Sequence, residues 1–133
     1  MIFQHTIDKV LSGEKTQTRR VVKEGDYAEY VETEFTLATG VINFRATKRI
    51  RNANNNIRWE QSKTYSVQPG RGQRGVARIK IMTLGNQDVR YINKESMRAE
   101  GFNSKEEFLN LWRKMHGANY ESWVITFKLV NDE

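Results

Sequence analysis

Between Gly13 and Arg20 the chain reads Gly-Glu-Lys-Thr-Gln-Thr-Arg-Arg, so an amine, two hydroxyls and two guanidiniums fall within one short segment. A lysine close to hydroxyls is what base-assisted nucleophilic chemistry needs, because a hydroxyl is a weak nucleophile until a neighbour takes its proton. On residue types alone the same segment reads as a polar loop between a helix stop and the first strand. A second candidate is Gly70-Arg-Gly-Gln-Arg-Gly75, in which glycines space Arg71 and Arg74. Such a loop can bring backbone amides close to phosphate, or it is simply the turn between two strands. Nucleotide-binding glycine fingerprints, the zinc-protease helix motif and the serine nucleophile elbow are missing. There is no cysteine and the only histidines are His5 and His116. Disulfides, thiolate catalysis and cysteine-ligated zinc are thereby excluded, a transition-metal site is not expected, and no cofactor is implied.

The charge is unevenly distributed. The formal net charge is +6, yet residues 45–80 alone hold Arg45, Lys48, Arg49, Arg51, Arg58, Lys63, Arg71, Arg74, Arg78 and Lys80 against the single acid Glu60. A block of that kind attracts a polyanion, and phosphate neutralisation dominates affinity for nucleic acid. Phe44, Trp59 and Tyr65 interleave it and offer faces on which unpaired bases could stack. The sequence therefore nominates Arg49, Arg51, Arg58, Arg71 and Arg74, with Arg19 and Arg20, as nucleic-acid contacts. The alternative is a solvated set of strand faces, with Trp59 packed inside.

The elements that must position these groups follow from periodicity. Phe3, Ile7, Val10 and Leu11 have the spacing of one helix face, which predicts a short helix over 2–11 stopped by Gly13. Alternation of Val31, Thr33, Phe35 and Leu37 with polar residues predicts a strand, Thr39-Gly40 a hairpin turn, and Ile42, Phe44 and Ala46 its return. Asn52–Asn56 reads as the tip of a second, basic hairpin. Strands are expected at 64–68, 76–84 and 123–130. Asn93 is placed to cap a helix reaching Glu100, and Ser104-Lys-Glu-Glu107 is a capping box opening a second helix with an apolar stripe of Phe108, Leu111, Trp112 and Met115. His116 is expected to cap the end of that helix. Helix, about five strands, two helices and a strand predict a mainly β, α+β fold, an antiparallel barrel or curled sheet with flanking helices.

The 133 residues suit one domain, expected over 1–133. No apolar run approaches the about 20 residues of a membrane span, and the N-terminal residues lack the basic and apolar regions of a signal peptide. The absence of cysteine is compatible with a cytoplasmic location.

An N-terminal helix followed by Leu-Ser-Gly13-Glu-Lys15-Thr-Gln-Thr18-Arg-Arg20 resembles the G-x-K-x-x-x-x-R signature of the ASCH domain family, with Gly13, Lys15 and Arg20 in its fixed positions. Lys63–Gly70, Ala77-Arg-Ile, Ala99-Glu-Gly-Phe102 with Glu106-Glu-Phe-Leu109, and Trp123–Leu129 extend the resemblance along nearly the whole chain; residues 27–62 carry it least. It implies a PUA-like β-barrel with two helices before the last strand, associated with RNA or modified nucleosides. Small bacterial members are amidohydrolases that deacetylate 4-acetylcytidine; others are ribonucleases or non-catalytic RNA-binding modules. The amidohydrolase set carries over as Lys15 and Thr18, with Glu100 as the carboxylate and Glu95 as its alternative. Lysine can act as the base if burial or cations such as Arg19 and Arg20 lower its pKa from about 10.4 toward roughly 7–8. Glu100 then orients the pair or protonates the leaving nitrogen, and Arg20, Arg71 or a backbone amide stabilises the oxyanion. A carboxylate at the C-terminal end of a helix is otherwise electrostatically disfavoured. In the binding-only alternative Lys15 and Arg20 contact phosphate and catalyse nothing.

Overall fold

The computed structural model describes residues 1–130, the side chains of Thr33 and Phe35 excepted. The alternation expected at those two positions and the last three residues of the expected domain therefore lie outside the described residues. Helix α1 spans Ile7–Ser12 and ends where Gly13, at φ 82°, turns its N–H back to Val10 O. Glycine takes that left-handed conformation without a Cβ clash. The helix is shorter than the 2–11 spacing predicts because residues 1–3 are drawn out alongside the chain at Gln68. Phe3 N donates to Gln68 O at 2.9 Å, and Gln68 N to Met1 O at 2.8 Å. Phe3 is buried all the same, its ring 5.6 Å from that of Phe127, whereas Leu11 is exposed.

Seven strands follow: β1 (Gln17–Val21), β2 (Tyr27–Leu37), β3 (Gly40–Arg51), β4 (Ile57–Glu60), β5 (Thr64–Val67), β6 (Ala77–Asp88) and, after the helices, β7 (Glu121–Val130). The expected hairpins at Thr39-Gly40 and Asn52–Asn56 form. Strand β1 was expected to be a loop. It forms because Gln17–Val21 pairs antiparallel with β7, Gln17 opposite Thr126 and Val21 opposite Ser122. Polar side chains project from both of its faces, so no apolar alternation marks it. Helices α2 (Lys94–Ala99) and α3 (Lys105–His116) begin as expected. Asn93 accepts from Ser96 N at 2.7 Å and Ser104 from Glu107 N at 3.1 Å.

The strands form two antiparallel sheets, ordered β1-β7-β6-β5 and β2-β3-β4. Ile50 and Trp59 of the second sheet pack on Ile81, Leu84, Trp123 and Ile125 of the first. After β4 the backbone passes from one sheet to the other, Gln61 N donating to Lys48 O at 2.9 Å and Ser62 N to Ile81 O at 2.8 Å. The fold is thus mainly β with flanking helices; among the described residues the two ladders stay open rather than closing into the expected barrel, and β1 is an edge strand. Helices α2 and α3 cluster Val89, Ile92, Met97, Phe108 and Trp112 into a third apolar group beside β1. Among the described residues no helix is long and apolar enough to cross a membrane.

Candidate functional site

Residues 13–16 are pinned from three sides. Lys15 N donates to Lys9 O at 3.0 Å, Thr16 N to Ala99 O at 2.9 Å, and Phe127 N to Thr16 O at 2.9 Å. The ends of α1 and α2 and the edge of β7 therefore hold one short segment, and its side chains are fixed where they meet. Gly101, at φ 90°, lets α2 end there: a Cβ at that position would stand 3.0 Å from Lys9 Cδ.

Glu100 is the hub. It is 1% exposed, and Lys15, Gln17, Thr18 and Arg19 are 4%, 7%, 5% and 7% exposed. Lys15 Nζ donates to Glu100 O at 2.6 Å and to Oε2 at 3.3 Å. Gln17 Nε2 donates to Oε1 at 3.2 Å, and Arg19 Nε lies 3.3 Å from the same oxygen. Arg19 continues outward, Nη2 donating to Gln87 Oε1 at 2.7 Å and Nη1 to Ser122 Oγ at 3.3 Å. A buried ion pair is kept only when such hydrogen bonds offset its desolvation. Of the two carboxylates considered, Glu100 is the one brought to Lys15; Glu95 is exposed on the first turn of α2.

Part of this cluster faces a cavity of about 150 Å³. Lys15, Thr18, Arg19, Arg20 and Glu100 line it together with Phe3, Phe102, Phe108, Trp112 and His116. The stripe of α3 thus has two duties, core on one side and cavity wall on the other. His116, expected only as a helix cap, packs against Trp112 in a tilted arrangement with ring centroids 4.5 Å apart and lines the cavity. Arg20 donates from Nη2 to Ile2 O at 2.6 Å and lies 5.0 Å over the Phe3 ring, leaving its buried Nε without a hydrogen bond. Thr18 makes no side-chain hydrogen bond to any described residue, including Lys15. By the alternation of an antiparallel pair, the N–H groups of Gln17 and Arg19 point away from β7 to the free edge, because Thr16 O and Val22 N are the groups bonded across.

Burial is the main force holding Lys15 below the usual lysine range; Glu100 opposes it, and Arg20 and Lys9 add to it. Burial also brings Arg20 down to about 10, against the pull of Glu100, so it stays charged at neutral pH. Desolvation and Arg20 hold His116 below the usual imidazole range. Among the described residues no group of three His, Asp or Glu side chains is placed to hold a metal ion.

The remaining basic candidates lie elsewhere. None of Arg49, Arg51, Arg58, Arg71 and Arg74 lines the cavity. Arg49 pairs with Glu29 and Glu60, and Arg51 with Glu29. Arg58 pairs with Asp26 and lies 4.2 Å over the Trp59 ring, which is itself in the core. The positive block is thus partly neutralised by acids that β2 and the turn before it bring alongside, something a linear count of charge could not reveal. Arg71 and Arg74 are exposed in the loop between β5 and β6.

The fold and this cavity define a mainly β protein with two packed antiparallel sheets and a charged, buried cluster beside β1 and the end of α2. The chain is similar to the crystal structure of protein EF3133 from Enterococcus faecalis V583, described as a DUF984 protein, with a TM-score of 0.60 and 13% identity over 92% of this chain and 68% of that one. At this identity the likeness concerns the fold alone. No family model matches the sequence, and no curated protein does.

Proposed function

We propose that the protein is an ASCH-type amidohydrolase that removes the acyl group from an N-acylated, cytidine-type nucleoside, with Thr18 as nucleophile and Lys15 as base. One observation carries the reading: Lys15 reaches the cavity wall while Glu100 O and Oε2 take two of its hydrogens. A neutral lysine amine has two hydrogens and a lone pair. With both hydrogens engaged, the lone pair is left for the cavity, where Thr18 waits with a hydroxyl that no described residue occupies. Binding of substrate brings the two together, since catalytic hydrogen bonds are often long in empty sites.

In this mechanism Thr18 Oγ attacks the acyl carbonyl carbon as Lys15 Nζ takes the hydroxyl proton. The carbonyl electron pair moves onto oxygen, and the oxyanion is met by Arg20 and by an edge amide of β1. Arg71 lies outside the cavity and has no part in this. Collapse breaks the bond to the exocyclic nitrogen, which takes the proton from Lys15. Water, deprotonated by Lys15, then attacks the threonyl ester; collapse breaks the bond to Thr18 Oγ, which takes that proton back from Lys15, and the acid leaves, shedding its own proton to solvent as the carboxylate. Glu100 keeps Lys15 in place throughout. The cavity volume is below the about 300–1,000 Å³ of drug-sized sites, which suits one ring between Phe102, Phe108 and Trp112 with the sugar at the mouth. The test is mass spectrometry of protein quenched during incubation with 4-acetylcytidine. Acetyl on the peptide bearing Thr18, and none in Thr18→Ala, is expected; turnover without any adduct and undiminished in Thr18→Ala removes Thr18 from the mechanism.

A binding-only reading is favoured by a different observation. Lys63, Arg71, Arg74, Arg78, Lys80 and Lys128 make no ion pair among the described residues, and no acid occurs between Gln61 and Gln87. Lys80 stands directly opposite Lys128, an arrangement that costs stability unless an anion covers it. RNA held there would lose affinity steeply with salt, whereas turnover of an uncharged nucleoside would not.

A further inference from the structure

Arg19 is nearly as buried as the residues around it, yet the mechanism above gives it no step. Its three nitrogens meet three different elements: Nη1 and Nη2 donate to Ser122 on β7 and Gln87 on β6, and Nε stands 3.3 Å from Glu100 Oε1 at the end of α2, an ion pair without a hydrogen bond. Ser122 Oγ in turn donates to Gln87 O at 2.7 Å, so the far end of the guanidinium is held by a bonded pair. The near end lies at Oε1, the oxygen that Lys15 does not use. We propose that Arg19 is a positioning residue that acts through Glu100: it fixes Oε1 and shares the carboxylate charge, so that Oε2 and the backbone oxygen hold Lys15 without trapping it as an ammonium. This deepens the proposed function, but the clamp itself is a statement about Lys15 that is measurable without substrate.

The expected sign follows from the charges around Lys15. Lys9 faces it from α1, Arg20 from β1 and Glu100 from the end of α2; Arg19 meets it across the shared Glu100 carboxylate, and His5 and His116 line the same cavity. Glu100 is the only anion in that set. Removing Arg19 deletes a nearby cation and leaves the full carboxylate field to Lys15, and both changes favour the ammonium. Lys15 would then titrate higher and be a poorer base near neutral pH.

The experiment follows the Lys15 Cε and Nζ resonances by NMR through a pH titration of the full chain labelled at lysine, the signal being assigned by its loss in Lys15→Arg. Arg19→Gln is expected to raise the Lys15 titration by about one pH unit or more, and Arg19→Lys, which restores the charge, to recover at least half of that shift. Gln87→Ala leaves every charge in place and loosens only the outer anchor; it is expected to shift Lys15 the same way by a smaller amount, and it serves if Arg19→Gln does not fold. An unmoved Lys15 in these variants overturns the proposal, as does a fall, which would mean that Glu100 had taken a proton. So does Arg19→Lys shifting Lys15 as far as Arg19→Gln. Absence of 4-acetylcytidine turnover in the wild type would overturn the proposed function and leave this result standing.

Discussion

Lys15 is bonded to Glu100 twice, through the backbone oxygen at 2.6 Å and through the carboxylate at 3.3 Å, although 85 positions separate the two in sequence. The backbone contact ties the lysine to the end of α2 whatever the protonation of the side chain. The carboxylate contact compensates its charge when it is protonated. A lysine held in this way stays aimed in either state, as a proton carrier requires.

Breaking this cluster should be costly. Glu100→Ala leaves Lys15 and Arg19 buried with no anion, and removing one partner of a buried pair destabilises by about 3–5 kcal/mol. Denaturant unfolding of Glu100→Ala, with Lys15→Ala/Glu100→Ala alongside, checks this. The double variant should recover part of the loss, and a single-variant loss below about 1 kcal/mol contradicts the buried-pair account.

The pH dependence of turnover is expected to show a rising limb governed by Lys15. Its titration is held below the usual lysine range, chiefly by burial, so the limb should fall below about 10.4. The same shift has a sign in stability. Between the folded and unfolded titrations of Lys15 the unfolded chain binds more protons, so stability due to this group rises with pH across that window. The slope should flatten in Lys15→Met.

His116 gives the corresponding effect at lower pH. Its imidazole is depressed by desolvation and by Arg20, so the unfolded chain takes up the proton first as pH falls through about 6.5. Stability should drop through that range, and His116→Phe, which keeps a ring against Trp112, should drop less. Parallel curves for the two proteins would contradict this placement of the histidine.

Asp26 joins the two sheets. Its Oδ2 accepts from Lys23 N at 2.9 Å and from Trp123 Nε1 at 3.0 Å, and it pairs with Arg58 of β4. Asp26→Ala should cost roughly 2–3 kcal/mol, the scale of hydrogen bonds to a buried charge. A thermal melt matching the wild type would show that the sheets are held by Ile50, Trp59 and their apolar neighbours alone.

Much of this arrangement was legible in the sequence where one local rule decides. Ser104 and Asn93 cap helices because their side chains reach amides three residues on, and Thr39-Gly40 turns a hairpin between alternating strands. The spacing of Lys15, Thr18 and Arg20 pointed to residues that the fold gathers at one cavity, with Gly13 as the turn that ends α1 before them. Other features depend on partners distant in sequence. Strand β1 exists because β7 accepts it, and nothing in Gln17–Val21 alternates in polarity. Phe3 has helical spacing from Val10 but is buried from an extended segment. Arg49, Arg51 and Arg58 looked like free charge until β2 and its preceding turn brought Glu29 and Asp26 beside them. Gln17 and Arg19 are ordinary polar residues until α2 delivers Glu100 between them.

The most direct test of the central claim is turnover of 4-acetylcytidine followed by mass spectrometry, wild type beside Lys15→Ala, both shown to be folded by their melting curves. The expected result is release of cytidine by the wild type and a loss of at least about a hundredfold in the variant, the scale of removing a positioned base. Equal turnover by both proteins, or none by the wild type, would contradict the assignment of Lys15 as the base of an amidohydrolase.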